Sequence, residues 1–172
     1  MEILKIPRDR IRALQQAKKE IQNTCKIKLN IVEGEVTVEG DVADVYFAKD
    51  VVKAVARGFH PKVALKIYTK DFQFYLINLK EHAKSDKAIT LIKSRVIGED
   101  GKIKREIEDS TDSYLSIYGN TIGIVAKIDT VEYVKEAIEI IINGSKFSTL
   151  LRFLAEAKEK IFINRIAPNR VN

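Results

Sequence analysis

The segment "RVIGEDGKIKREIE", residues 95–108, places Gly98 and Gly101 either side of two acids and opens a lysine- and arginine-bearing stretch directly after the second glycine. Glycines at this spacing permit backbone angles with φ > 0 and remove the Cβ atoms that would hold a ligand away. A helix starting at Lys102 would aim its first N–H groups and its positive dipole end at the same point. The chemistry suited to that pattern is close approach of a phosphate backbone. Between residues 93 and 105 the bases are Lys93, Arg95, Lys102, Lys104 and Arg105 and the acids Glu99 and Asp100, a balance of 5 − 2 = +3. The whole chain carries 30 − 24 = +6, so this short segment supplies half the excess. The two acids work against it: a carboxylate about 5 Å from a phosphate, at an effective dielectric of about 40, costs roughly 1–2 kcal/mol before salt screening.

Other chemistries lack their residues. A nucleotide-binding P-loop needs G-x-x-x-x-G-K-[ST]; five positions before Gly101 stands Val96, and Ile103 replaces the hydroxyl residue. Cys25 is the single cysteine, and His60 and His82 lie far apart in sequence, so neither a disulfide framework nor a metal-ligand spacing is present. No His-assisted nucleophile or carboxylate cluster stands out, and the expectation is a binding protein without cofactor, metal or catalytic group. A chain of 172 residues with 45% hydrophobic and 31% charged content is expected to fold around a real core as one ordinary or two small domains. The pI near 9.3 suits a nucleic-acid partner without requiring one. The N-terminus alternates as a strand does, and no apolar run approaches the ~20 residues of a membrane span, which predicts a cytoplasmic protein with a reduced thiol.

The elements that must position the loop emerge when the chain is slid against itself by 86 positions. Residues 20–58 then lie over 106–144 without a gap. Leu29 and Ile31 fall on Leu115 and Ile117, Val36 and Val38 on Ile122 and Ile124, and Gly58 on Gly144. Val45, Ala48, Val52, Val55 and Ala56 fall on Val131, Val134, Ile138, Ile141 and Ile142. Each copy reads as a helix end, a period-two strand, a tight turn (Glu33-Gly34 or Gly119-Asn120), a second strand and a helix with apolar steps of three and four. Gly58 and Gly144 stand where a helix needs a left-handed residue to stop, and Asp129 with Glu132 predicts a capping box. Ahead of the shared part, residues 2–7 and 72–79 read as strands. Residues 10–24 read as one helix in the first copy, and two short helices flank the glycine loop in the second. Residues 60–67 predict a short helix opened by Pro61, and 68–71 a hinge.

Strand, helix, I-G-x-x-G, helix, strand, strand, helix resembles a type I KH domain, a single-stranded RNA-binding module. The residues that carry this are Val96-Ile97-Gly98-Glu99-Asp100-Gly101-Lys102, Ile107-Glu108 and "SYLSIYGNTIGIVA". With "VVKAVARGFHPKVALKIY" at the junction and "AIEIIINGSKFSTLLRFLAEAKEK" after the second copy, nearly the whole chain resembles the archaeal KH-domain proteins related to the "partner of Nob" ribosome-assembly factors. The resemblance implies an α/β (α+β) fold of two tandem type I KH domains, each a three-stranded sheet with helices on one face, plus a C-terminal helix. The expected division is 1–68, 72–145 and 146–172. It further implies single-stranded RNA, the 3′ region of small-subunit rRNA, as partner, together with the rRNA-maturing endonuclease or a translation initiation factor subunit. The departure lies in the first copy: no glycine precedes Gly34, and the segment before its first paired strand is about five residues short of a glycine-loop version. Its two helices are therefore expected to fuse, leaving a degenerate unit for structural or protein contacts.

In KH recognition the glycine loop clamps about four nucleotides. The candidate RNA-binding residues are accordingly Lys93, Arg95, Ile97, Gly98, Glu99, Asp100, Gly101, Lys102, Lys104 and Arg105, with Ser116 and Tyr118 on the strand "YLSIY" as a base-reading wall and Arg152 on the last helix. Arg165 and Arg170 near the C-terminus are further candidates. The competing expectation is a protein-interaction module with little intrinsic RNA affinity, for which the acids of the loop and the degenerate first unit speak.

Overall fold

The computed structural model describes residues 1–69 and 71–167. Two compact units make up the chain, Met1–Leu76 and Ile77–Asn172. The division falls inside a strand and not at 68–71, a stretch whose Lys70 lies outside the described residues.

The first unit runs β1 (Glu2–Lys5), α1 (Ile11–Cys25), β2 (Lys28–Val32), β3 (Glu35–Glu39), α2 (Val42–Ala56) and α3 (Pro61–Ala64). Its sheet is antiparallel in the order β1-β3-β2. The predicted fusion is present: α1 is one helix whose buried residues Leu14, Ala17, Ile21 and Cys25 recur at steps of three and four. Cys25 ends this stripe with no exposed surface, and burial, aided by the Asp44 carboxylate, pushes its thiol up to about 11. The Tyr68 hydroxyl donates to Asp44 Oδ1 at 2.8 Å, and that bond leads the effects that push the phenol up to about 12.

The second sheet has the order β4-β6-β5, from β4 (Phe72–Asn78), β5 (Ser113–Tyr118) and β6 (Thr121–Lys127). Its helices are α4 (Asp86–Ile97), α5 (Lys102–Thr111), α6 (Val131–Ile142) and α7 (Phe147–Ile166). Ser85 starts α4 by accepting from the Ala88 amide at 3.2 Å. Ile92 and Val96 of α4, Ile107 of α5, Leu115 and Ile124 of the sheet and Ile138 of α6 form one buried cluster, joined by Leu150 and Leu154 of α7. At roughly 1.5–3 kcal/mol for each large side chain so buried, α7 is an integral part of this unit and not an appendage.

The repeat is visible in the backbone. Lys26 and Asp112, 86 residues apart, both adopt left-handed angles (φ 54 and 50) at a helix C-terminus. Glu33 and Gly119 open the two hairpin turns with φ 47 and 56. Gly58 and Gly144 stop α2 and α6 through the same pair of bonds: Gly58 N to Val55 O with Phe59 N to Ala54 O, and Gly144 N to Ile141 O with Ser145 N to Ile140 O. One expectation fails. α6 begins at Val131 without a side-chain cap, because Glu132 is paired with Lys135 at 2.9 Å and Asp129 faces Arg165 Nε at 3.5 Å. The predicted capping box is thus spent on two ion pairs, one of which fastens the end of α7.

Candidate nucleic-acid interface

α4 ends at Ile97 because Gly98 takes φ 70, ψ 178, a conformation open essentially to glycine alone. A Cβ on Gly98 would run into the Ile103 side chain and come within 2.9 Å of the Ile103 nitrogen. Asp100 (φ 51, ψ 27) and Gly101 (φ 74, ψ 17) then turn the chain left-handedly into α5, with Gly101 N bonded to Gly98 O at 3.3 Å. The two glycines are required for different reasons. Gly98 has no space for a side chain; a Cβ on Gly101 would meet only the Arg105 guanidinium, at 3.4 Å, so its demand comes from the backbone angle. Aspartate is one of the few side chains that tolerate left-handed angles, which gives Asp100 a conformational reason to stand where phosphate chemistry would disfavour it. Glu99 lines a pocket of about 270 Å³ with Ile103, Ile140 and Phe147, on the side of the loop toward α6 and α7.

The five predicted bases divide by what holds them. Arg95 Nη2 donates to Ser145 O at 2.7 Å, placing a guanidinium on the C-terminal end of α6, where the helix dipole is negative. Lys104 pairs with Glu108 at 2.9 Å. Lys93 reaches from α4 to the β5–β6 turn, its Nζ 3.0 Å from Gly119 O, and so spans the space between the loop-bearing helix and the hairpin tip. Lys102 and Arg105 are exposed at the start of α5. Bonding to carbonyls leaves Lys93 and Arg95 charged; only Lys104 is neutralised by its partner. Four effective cations against two acids leave the loop region positive.

β5 is an edge strand, and the Leu115 amide points away from β6 to Glu108 Oε1 at 2.7 Å. In an antiparallel ladder such outward groups alternate, so Ile117, two residues on, also turns its N–H and C=O to the open edge. The first unit has the same latch at the same repeat positions: Gln22 Oε1 accepts from Leu29 N at 2.8 Å.

A family model for the second KH domain of partner-of-Nob proteins, described as a eukaryotic-type KH domain (KH-domain type I), matches residues 73–159. The chain belongs to the KH-domain family. A KH domain-containing protein of Methanocaldococcus jannaschii is 38% identical over 171 residues, covering 94% of this chain and 75% of that one. Among solved structures, Dim2p from Pyrococcus horikoshii OT3 superposes with a TM-score of 0.84 at 32% identity, covering 90% of this chain and 98% of that one. A chain of the a/eIF2alpha–aDim2p–rRNA complex from the same organism gives 0.85 at 32%, covering 92% and 94%. A protein of unknown function from Aeropyrum pernix gives 0.89 at 26%, covering 96% and 94%.

In this KH unit the loop, the end of α4 and the start of α5 bring together Lys93, Arg95, Ile97, Gly98, Glu99, Asp100, Gly101, Lys102, Lys104 and Arg105. Ile97 is 38% exposed beside the loop. Ser116 and Tyr118 are placed elsewhere. Leu115 and Ile117 face the helix layer and its core, so the period of two turns Ser116 and Tyr118 to the opposite face of the sheet, where both are half-buried. On the same strand Ile117 turns its main chain to the open edge while its side chain packs against the core. Arg152 is exposed on α7, opposite the buried stripe of Leu150, Leu154 and Ala157. Arg165 belongs to α7 and is bound to Asp112 and Asp129 at 3.3 and 3.5 Å; Arg170 lies outside the described residues. Sequence reasoning also missed Ile103, whose contact with Gly98 makes that glycine irreplaceable, and Glu108. The 86-residue offset could have found Glu108, since Gln22 holds the same position.

Proposed function

We propose that the second KH unit clamps single-stranded RNA between its glycine loop and the β5 edge, and that the protein serves small-subunit ribosome assembly near the 3′ end of the rRNA. The loop carries this reading: two left-handed glycines, the first with no room for a Cβ, lead into the N-terminus of α5 with Lys102 and Arg105 free above it. Lys93 and the Ile117 main chain supply the facing wall, and Ile97 an apolar floor for bases. Arg152 would extend the surface along α7. Glu99, turned toward α6 and α7, adds less repulsion than its place between the glycines suggests. The Pyrococcus relative solved with rRNA and a/eIF2alpha supports RNA, and a translation initiation factor subunit, as partners in the cytoplasm; the rRNA-maturing endonuclease is a further candidate. The first unit, without a clamp, is the surface proposed for protein contacts.

The second reading, a protein-interaction module with little RNA affinity, rests on Lys93, Arg95 and Lys104 all being held within the protein. Salt separates the two. Binding through a few cations weakens steeply as salt rises, with a slope near −0.7 per phosphate neutralised on a single strand, whereas apolar burial does not. The test is fluorescence anisotropy with a labelled strand copying the rRNA 3′ end and a scrambled control, at two salt concentrations. Salt-sensitive, sequence-preferring binding that Lys102→Glu/Arg105→Glu removes is the expected result. Absence of binding in the wild type, or its survival in that variant, refutes the clamp.

A further inference from the structure

The first unit contains a pocket of about 360 Å³ between the end of β1 and the C-terminal half of α2, with Phe74 and Tyr75 in its lining. Its charged residues are Lys5, Lys53 and Arg57 against Asp50, three cations to one acid. Lys53 Nζ stands 3.4 Å from Asp50 Oδ1, and the Lys53 side chain remains 45% exposed. An exposed pair of this kind is weak and leaves the ammonium open to a second anion. The C-terminal carbonyls of α2 would ordinarily repel an anion here. Arg10 offsets them, its Nε and Nη2 donating to Val55 O at 3.2 and 2.9 Å.

Two aromatic residues of β4, Phe74 and Tyr75, also contribute to the lining. Phe74 is fixed edge-on to Phe59 at 6.2 Å between centroids, while Tyr75 is 42% exposed. Pockets for small ligands run from about 300 to 1,000 Å³, so this one has room for a single nucleotide. Ammonium groups for a phosphate next to a ring for a base are the two parts that single-strand binding sites combine. An acidic peptide would satisfy the cations and leave the ring unused.

We propose that this pocket is a second RNA contact, holding one nucleotide of a single strand with its base on Tyr75 and its phosphate on Lys5 and Lys53. It rests on the reading of the protein as RNA-binding, but not on the glycine clamp.

The test uses the full chain and two oligouridylates, one of about four nucleotides, the length a KH clamp holds, and one of roughly 20. Because Lys5 stands opposite Glu35 in the ladder, the variants are the mild Lys5→Gln/Lys53→Gln and, separately, Tyr75→Ala. Each should weaken the long strand about tenfold and leave the short one unchanged, in line with the loss of two phosphate contacts or one stacked base. A long strand carrying 4-thiouridine should crosslink to the peptide containing Tyr75. Long-strand binding unchanged by both variants, while Lys102→Glu/Arg105→Glu abolishes it, overturns the pocket and leaves the clamp standing. Long-strand binding that survives the clamp variant and falls in the pocket variants upholds the pocket and overturns the clamp. Oligoglutamate competing as well as RNA at the crosslink overturns the pocket as a nucleotide site.

Discussion

Two units of one repeat, one with a glycine loop and one without, separate what this fold needs from what the loop adds. Both close α2 and α6 with the same glycine stop, and both send an arginine, Arg10 or Arg95, to a carbonyl at the end of that helix. Both tie the edge strand to the preceding helix at one amide, through Gln22 or Glu108. The first unit does all this with α1 as a single helix. The loop is therefore dispensable to the architecture, and the backbone strain at Gly98, Asp100 and Gly101 falls only on the unit that carries it. Strain confined to one of two otherwise matching copies is not accounted for by the needs of the shared fold.

The largest way to break the comparison is at Gly98. Gly98→Ala puts a Cβ against Ile103 in a glycine-only conformation and should cost about 3 kcal/mol or more, or rearrange the loop. Gly101→Ala should cost about 1 kcal/mol, for its backbone angle alone. Urea denaturation followed separately in each unit checks both, and equal losses at the two glycines would remove the distinction drawn between them.

Next comes pH, which should act on the first unit selectively. The Cys25 thiol is raised from 9.0 to about 11 in the fold, so between those values the folded chain holds a proton that the unfolded chain has lost. Stability from this group is complete below pH 9 and declines as pH rises toward 11, by up to roughly 2–3 kcal/mol. Wild type and Cys25→Ala should differ in pH slope across that window; parallel curves would contradict the burial. Smaller again are the arginine caps. Arg10→Ala and Arg95→Ala should each cost about 1–2 kcal/mol in their own unit. Arg95→Ala should leave the RNA salt slope within one phosphate of wild type, whereas a larger fall would return Arg95 to the RNA surface. Least disturbing is Glu108→Gln, which copies the first unit's Gln22 and should stay within about 0.5 kcal/mol, against about 1–3 for Glu108→Ala, which leaves the Leu115 amide unsatisfied. Thermal melts of the pair decide it.

Much of this architecture was legible because it rests on periodicity and special residues. The apolar steps of α1, the turn at Glu33-Gly34, the helix stops at Gly58 and Gly144 and the start of α5 at Lys102 all lie where residue type alone dictates backbone angle. The loop was legible for the same reason. Side-chain destinations were not. Asp129 and Glu132 have the spacing of a cap, but Arg165 and Lys135 compete for them, and a partner 36 residues away leaves no mark on local pattern. Arg95 and Lys104 add to a basic run in sequence, while in the fold one braces a helix end and the other pairs within α5. The face taken by Ser116 and Tyr118 relative to the loop was hidden for a related reason. Alternation shows which strand residues share a face, but the position of the loop relative to that face is a property of the helix layer.

The latch on β5 also governs which kind of polymer can use this edge. A peptide adding to the sheet as a further strand needs N–H and C=O groups free at every second residue along it. Glu108 has already taken the Leu115 amide, so the row is interrupted at its middle and strand addition cannot propagate. What remains of the edge beyond Leu115 is the single donor and acceptor of Ile117, too little for a strand. One carboxylate on α5 thus keeps this edge from templating a further strand.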